Sequence, residues 1–86
     1  MKRPDWWDWD LAFTSHVEVR MEERGVSEVE LRAMLENATE IRPASRPGRW
    51  LVHASHGGRS WVVVLEPDET DQLLFVVTVY AREVGP

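Results

Sequence analysis

The sequence contains no cysteine, which excludes disulfides, thiolate metal sites and cysteine nucleophiles together. It also lacks any apolar run close to the roughly 20 residues that a membrane-spanning helix needs. The basic residues near its start are not followed by an apolar stretch. We therefore expect neither a membrane anchor nor a signal or transit peptide, and we expect a cytoplasmic protein.

The composition is that of a globular domain, with 86 residues of which 43% are apolar and 29% are charged. A chain of this length buries only about 60 to 68% of its unfolded surface. We therefore expect a single domain over residues 1–86. The segment 1–10 is rich in tryptophan and aspartate, and we expect it to pack on this domain or to extend from it.

Lysine is nearly absent, and the net charge is −5. This charge argues against a nucleic-acid-binding protein, because attraction to phosphate is electrostatic. The acids are unevenly distributed, however, and none lies between Ile41 and Leu65. That stretch contains four arginines and two histidines, namely Arg42, Arg46, Arg49, Arg59, His53 and His56. We therefore predict a locally basic surface on an acidic protein.

Two serine-to-glutamate spacings predict helix starts. Ser15 precedes Glu18 and Ser27 precedes Glu30 by the three residues of a capping box. Gly25 is placed to end the first helix, so the short junction predicts a helical hairpin. The second helix is predicted to have an apolar stripe that consists of Leu31, Met34, Leu35 and Ala38.

The Gly57-Gly58 pair predicts a two-residue β-hairpin loop between strands over 49–55 and 60–66. Such a loop sets the register of the two strands. The predicted partners are Trp50 with Leu65, Val52 with Val63, Ala54 with Trp61, and His56 with Arg59. Because one face of this hairpin is then almost continuously apolar, we expect the helices to pack on it.

A further strand is predicted over 73–81, after the acidic turn. Strict alternation places Leu73, Phe75, Val77 and Val79 in the core. It leaves the opposite face with Leu74, Val76, Thr78, Tyr80 and Arg82. With a strand over 9–13 the order is β-α-α-β-β-β, and residues 41–43 are predicted to form no more than a short edge. We therefore predict an α+β fold, in which a helical hairpin packs on one face of a mostly antiparallel sheet of three to four strands.

Several short motifs occur between Leu11 and Arg82, nearly the whole domain. They are His16, Arg20-Met21, Glu23-Arg24-Gly25-Val26-Ser27, Leu31, Leu35, Gly48-Arg49 and Val76-Val77-Thr78-Val79-Tyr80. In these motifs the chain resembles the bacterial domain-of-unknown-function family 4258. That family is related to RelE-type toxins and to the barnase, EndoU, colicin and RelE group of ribonucleases. The resemblance implies a RelE-like fold and toxin-type endoribonuclease activity, with RNA as substrate and a cognate antitoxin or another protein as partner.

Four residues are candidates for catalysis, namely His16, His53, Tyr80 and Arg82. RNA cleavage by a 2′-hydroxyl needs a base, a cation for the phosphate and an acid for the leaving oxygen. His53, Arg82 and Tyr80 share the predicted open sheet face and supply these groups, and His16 is a further imidazole that can act as an acid or a base.

Five residues are candidates for substrate binding, namely Arg20, Arg24, Arg49, Arg59 and Thr78. His16, Arg20 and Arg24 follow a four-residue spacing, which places them on one side of the first helix. The alternative is structural. In that case the stripe of His16, Arg20 and Arg24 is a solvent-exposed helix face with glutamates nearby, and the open sheet face is an ordinary polar surface without a substrate.

His53 and His56 do not form a metal site in this prediction. Alternation points their rings to opposite faces, and the sequence offers no obvious third ligand. We therefore expect no metal and no other cofactor, so a ribonuclease of this kind would be metal-independent.

Five tryptophans are many for this length. The hairpin register points Trp50 and Trp61 toward the helices, which favours the core over a stacking surface for RNA. Trp6, Trp7 and Trp9 either cap an open end of the core or contact a partner, and we favour capping for one or two of them. A catalytically inactive protein-binding module that uses this aromatic and acidic N-terminus is therefore the alternative function.

Overall fold

A computed structural model of the chain describes residues 2–82. It contains a short 3-10 helix, two α-helices and five β-strands. Their bounds are Asp5–Asp8 for the 3-10 helix, Ser15–Glu23 (α1), Glu28–Glu36 (α2), Asp10–Phe13 (β1), Ala38–Pro43 (β2), Trp50–His56 (β3), Arg59–Asp68 (β4) and Leu73–Arg82 (β5). The strands form one sheet in the order β1-β5-β4-β3-β2. All neighbours are antiparallel except β1 and β5, which are parallel.

The predicted fold class is confirmed, because a helical hairpin packs on one face of a mostly antiparallel sheet. The sheet has five strands instead of three to four, since the predicted short edge at 41–43 is part of a complete strand, β2. Among residues 2–82 there is no helix with the length and apolar character needed to cross a bilayer.

The two helices begin differently. At α1 the predicted cap is wrong, because the N-cap is Thr14 and its hydroxyl accepts a hydrogen bond from the amide of Val17 at 3.2 Å. The position three residues after this cap is a valine, so α1 has no capping box. At α2 the predicted box is confirmed. The Ser27 hydroxyl accepts from the amide of Glu30 at 3.1 Å, and the Glu30 carboxylate accepts from the amide of Ser27 at 3.3 Å.

The junction between the helices is a compact C-terminal cap. Gly25 has a φ of +67°, a left-handed conformation that glycine adopts without strain. Its amide donates to the carbonyl of Glu22 at 3.1 Å, and the amide of Val26 donates to the carbonyl of Met21 at 2.9 Å. This is the Schellman pattern, with Val26 and Met21 both buried. The predicted helical stripe is too long by one residue, because α2 ends at Glu36 and Ala38 begins β2.

The register of the β3–β4 hairpin is confirmed throughout. Trp50 pairs with Leu65, Val52 with Val63, Ala54 with Trp61, and His56 with Arg59. Gly57 and Gly58 have φ values of +59° and +75°, as a two-residue hairpin loop of type I′ requires at both central positions.

A β-bulge in β5 changes which side chains face the core. Thr78 pairs with Val64, but Val76 pairs with the next residue of β4, Leu65, so Val77 is an inserted residue. The prediction that Leu73, Phe75 and Val77 enter the core while Leu74 and Val76 face away is therefore wrong. Leu74 and Val76 are buried in the core, and so is Val79, as predicted. The insertion shifts the alternation of side chains by one residue.

The core lies between the helices and one face of the sheet. Its members are Val17, Met21, Val26, Leu31, Met34, Leu35, Val52, Ala54, Trp61, Val63, Leu65, Leu74, Val76 and Val79. Trp6, Trp7 and Trp9 are partly buried against this core, so all three contribute to covering it. The ring centroids of Trp6 and Trp50 are 5.5 Å apart. The N-terminal segment therefore packs on the domain.

Candidate functional site

The sheet face opposite the helices, which we call the open face, carries most of the polar groups of the strands. One row of cross-strand partners runs from β2 to β5 through Glu40, His53, Val62 and Tyr80. The rows beside it contain Arg42, Leu51, Val64 and Thr78 on one side and Ser55, Ser60 and Arg82 on the other. Neighbouring strands lie about 4.8 Å apart, so His53 and Tyr80 flank Val62 at a backbone separation of about 10 Å.

A carboxylate surrounded by cations lies at the β2 side of this face. Arg42 donates a hydrogen bond to the Glu40 carboxylate. This bond is the main cause that lowers the pKa of Glu40 below its usual value. Burial opposes it to a smaller extent, and the charges of Arg42, His53 and Arg82 lower the pKa by still smaller amounts. Glu40 is therefore ionised at neutral pH, and it lies within electrostatic reach of groups from β2, β3 and β5.

Sequence reasoning missed Glu40. It directly precedes the stretch without acids and is not among the residues predicted for the site. The detectable signal is the spacing of Glu40 and Arg42, which places both on one face of a strand that starts at Ala38.

His53 lies directly across from Glu40 on β3. Its Nε2 is buried and has no hydrogen-bond partner within residues 2–82. Nδ1 is therefore the ring nitrogen that remains as the candidate for a contact with a ligand. Tyr80, by contrast, is 38% exposed, and Arg82 is also exposed.

The outer edge of β5 forms a second polar region. β1 pairs with β5 only as far as Val76, so beyond this residue no strand of the described chain covers the edge. A cavity of about 350 Å³ lies there, lined by Arg24, Arg59, Trp61, Tyr80 and Ala81. The guanidinium of Arg59 stacks over the Trp61 ring at 5.1 Å. Two predicted binding residues, Arg24 and Arg59, thus join Tyr80 at this edge.

Of the remaining predicted residues, the two on α1 are not brought to the open face. His16 and Arg20 are exposed on α1, in the helix layer on the other side of the sheet from His53. Arg20 pairs with Glu23 at 3.4 Å. Arg49 pairs with Glu66 at 3.2 Å, so its charge is already compensated. The predicted catalytic set therefore does not form one site, because the sheet separates His16 from the other three residues.

The two histidines of β3 lie on opposite faces, as alternation predicts. Nε2 of His56 lies 3.3 Å from the Glu30 carboxylate of α2, on the helix side. The part of the chain that the structure describes holds no group of three or more histidine, aspartate or glutamate side chains that could bind a metal ion.

A family model described as a domain of unknown function, DUF4258, matches residues 13–81. The chain belongs to this family. The family predicted from the sequence is thereby confirmed for this DUF4258 protein, and the match includes every candidate residue of the open face except Arg82. Trp6, Trp7 and Trp9 precede the matched region.

Among solved structures, the DUF4258 chain is similar to the crystal structure of the Brucella abortus ribonuclease toxin BrnT. The TM-score is 0.68 at 13% sequence identity, over 88% of this chain and 99% of that chain. At this identity the similarity concerns the fold. A comparison with curated protein sequences finds no match.

Proposed function

We propose that this DUF4258 protein binds RNA on the open face and cleaves it by attack of a 2′-hydroxyl on the adjacent phosphodiester. The observation that carries the proposal is the row of Glu40, His53, Val62 and Tyr80 with Arg82 beside it. The fold shared with BrnT, which is a ribonuclease toxin, supports the same class of reaction.

The base is His53 in this proposal. Its Nδ1 accepts the proton of the 2′-hydroxyl as the 2′-oxygen bonds to phosphorus. The Glu40 carboxylate lies cross-strand to the ring and stabilises the imidazolium that forms by its charge, without a hydrogen bond to the buried Nε2.

The acid and the phosphate-binding group come from β5. As the bond from phosphorus to the 5′-oxygen breaks, the Tyr80 hydroxyl donates its proton to that oxygen. The products are then a 2′,3′-cyclic phosphate and a 5′-hydroxyl. Arg82 neutralises charge on the phosphate in the transition state. In this proposal the phosphate is bracketed by His53 and Tyr80, which lie on either side of Val62 at a backbone separation of about 10 Å.

Arg24 and Arg59 fit a second role, which is to hold the RNA backbone as it leaves the open face past Tyr80. Thr78 lies on the open face, one row from Tyr80, and supplies a hydroxyl for the same strand of RNA. His16 and Arg20 have no part in this proposal because they lie beyond the sheet.

The test is cleavage of a mixed RNA by purified protein, with and without divalent metal, followed by analysis of the RNA ends. His53→Ala should slow cleavage by about 10²- to 10⁴-fold, and Tyr80→Phe and Arg82→Ala should also slow it. His16→Ala is the matched control and should leave the rate unchanged. Expression of the wild type should arrest growth, and His53→Ala should relieve the arrest. Intact RNA under all conditions with harmless expression would overturn the proposal.

A second candidate function is protein binding through the N-terminal segment without catalysis. The observation in its favour is that Trp6, Trp7 and Trp9 remain only partly buried although they pack on the core. Partly exposed tryptophans are common at the centres of protein interfaces. A pull-down partner that depends on Trp6 and Trp7 would support this function, provided that the melting temperature of the variant shows that it is still folded.

A further inference from the structure

Two cations and no acid are found among the described residues that line the cavity at the outer edge of β5. The cations are Arg24, which follows α1, and Arg59, the first residue of β4. Both are exposed to solvent. Within residues 2–82, no carboxylate forms an ion pair with either guanidinium. Two uncompensated positive charges therefore meet at this cavity, and they favour an anionic ligand.

One of the two guanidinium groups is held against a fixed wall. The guanidinium of Arg59 lies over the ring of Trp61, 5.1 Å from its centroid. The Trp61 ring is 6% exposed, and its indole N–H donates to the carbonyl of His56 at 3.2 Å. A guanidinium that stacks on an aromatic face still has N–H donors along its edge. Arg59 is therefore positioned to donate hydrogen bonds to an anion in the cavity.

The two ends of the open face differ in charge. At the β2 end, Arg42 donates to the Glu40 carboxylate, so the charge of this arginine is compensated. At the β5 end, the unpaired Arg24 and Arg59 lie at the edge cavity, and Arg82 lies on the strand itself. A polyanion that crosses the sheet therefore meets more positive charge at β5 than at β2.

The proposed chemistry gives a bound RNA a direction across the sheet. The attacking 2′-hydroxyl belongs to the nucleotide on the 5′ side of the cleaved bond, and it lies at His53 on β3. The departing 5′-oxygen belongs to the nucleotide on the 3′ side, and it lies at Tyr80 on β5. The RNA therefore runs from 5′ to 3′ toward the outer edge of β5, where Tyr80 also lines the cavity.

We propose that this cavity binds the phosphate that follows the cleaved phosphodiester by one nucleotide on the 3′ side. Arg24 and Arg59 donate charge-assisted hydrogen bonds to its oxygens. The assignment rests on the proposed ribonuclease function and names the substrate that this function takes, which is an RNA that continues by at least one phosphate beyond the departing nucleoside. Cleavage within a chain is therefore favoured over removal of the last nucleoside.

The experiment uses an RNA oligonucleotide that contains a site cleaved in the mixed RNA. A neutral methylphosphonate replaces one phosphate, either one nucleotide 3′ or one nucleotide 5′ of the cleaved bond, so the two substrates have the same charge. The 3′ replacement should lower kcat/KM about tenfold, since each ion pair near the surface contributes up to about fivefold. The 5′ replacement should lower it less than about twofold, because the Arg42 charge is already paired.

Arginine variants test whether the cavity causes this difference. Arg24→Ala combined with Arg59→Ala should lower kcat/KM on the unmodified RNA about tenfold and should remove the additional effect of the 3′ replacement. The matched control is Arg20→Ala combined with Arg46→Ala, which removes the same charge from exposed positions and should preserve that effect. Fluorescence anisotropy with a 2′-O-methyl group at the cleavage site, which prevents cleavage, should show the same pattern in binding.

Equal effects of the two replacements on the wild type, or a larger effect of the 5′ replacement, would overturn the assignment and leave the ribonuclease function in place. A 3′ effect that persists in the folded Arg24 and Arg59 double variant would also overturn it. If the double variant does not fold, Arg24→Gln alone should reduce the 3′ effect from about tenfold to about threefold, and an unchanged effect would count against the cavity. The ribonuclease function fails separately, when the mixed RNA stays intact.

Discussion

The two faces of one sheet show two different uses of the same strands. On the helix side, Val63 and Leu65 are fully buried among apolar residues. On the open face, the neighbouring Val62 is 2% exposed, but it lies between His53 and Tyr80 and outside the core cluster. Because side chains alternate along a strand, one face provides stability while the other is free to carry chemistry.

The histidines of β3 show the same contrast three residues apart. His56 contacts the Glu30 carboxylate at the start of α2 and so ties the sheet to the helix layer. Nε2 of His53 is buried and has no hydrogen-bond partner within residues 2–82. The residue across from His53 on β2 is Glu40. Residue type alone does not separate these roles, whereas the face on which each residue lies does.

Deletion of Val77 should leave the faces of β5 unchanged. Val76 would then directly precede Thr78, with Leu65 and Val64 still their partners, so Leu74 and Val76 would stay in the core. We expect the free energy of unfolding to change by less than about 1 kcal/mol. Val76→Ala, which truncates a buried side chain, should cost about 1.5–3 kcal/mol. Urea denaturation measures both, and a larger loss for the deletion than for Val76→Ala would show that the bulge itself is needed to hold the faces.

A pair of leucine truncations compares the faces directly. Leu65→Ala opens a cavity in the core and should cost about 2–5 kcal/mol. Leu51→Ala, on the open face and partly exposed, should cost less than half of that amount. Thermal and denaturant unfolding provide the measurement. Similar costs for the two variants would mean that another molecule covers the open face in solution.

Charge removal should affect RNA binding from one side of the molecule only. Arg82→Ala should weaken RNA binding roughly fivefold and reduce the slope of log affinity against log salt by about 1, because one phosphate contact is lost. Arg20→Ala removes the same charge from α1 and should change neither quantity. Fluorescence anisotropy at several salt concentrations tests this pair, and equal effects would place RNA elsewhere on the surface.

The smallest expected effect concerns acid stability. A hydrogen bond from Arg42 lowers the pKa of Glu40, and hydrogen bonds from the Ser27 backbone and side chain lower the pKa of Glu30. Because the folded pKa lies below the unfolded one, this stabilisation is present above the usual value of 4.5 and is lost as the pH falls through the folded pKa.

Glu40→Gln and Glu30→Gln should each lower the melting temperature slightly at neutral pH and make it fall less on acidification than in the wild type. Because both carboxylates are exposed to solvent, the difference should shrink at high salt. Melting curves of both variants and the wild type across the acid range test the effect, for Glu40 on the open face and for Glu30 on the helix side. If a variant is less stable than the wild type by the same amount at every pH, the lowered pKa of that glutamate does not contribute to stability.

Local signals in the chain predicted the elements that depend on local chemistry. The register of β3 and β4 follows from two glycines that accept positive φ, and the start of α2 follows from the Ser27 and Glu30 spacing. At α1 the same spacing misled, because Thr14 occupies the cap position one residue before Ser15. Both residues carry a hydroxyl that can cap a helix, and only Ser15 has a glutamate three positions later, but the structure uses Thr14.

The candidate site was predictable in part. Tyr80, Arg82 and Thr78 were placed on the open face because they follow the bulge, beyond which alternation holds. His53 was placed there by the hairpin register. Glu40 was missed because its position depends on the pairing of β2 with β3. His16 was included as an imidazole in the basic stripe of the first helix, although the predicted fold already placed that helix on the other face of the sheet.

By itself, the sequence determined the α+β class, the helical hairpin, the β3–β4 register and the absence of cysteine chemistry, since each depends on residues close together in the chain or on composition. Only the tertiary structure decided the bulge at Val77, the parallel pairing of β1 with β5 and the placement of Glu40 beside His53. These features depend on how distant segments pack, and the free energy that selects them comes from burial of the shared core, which no local pattern encodes.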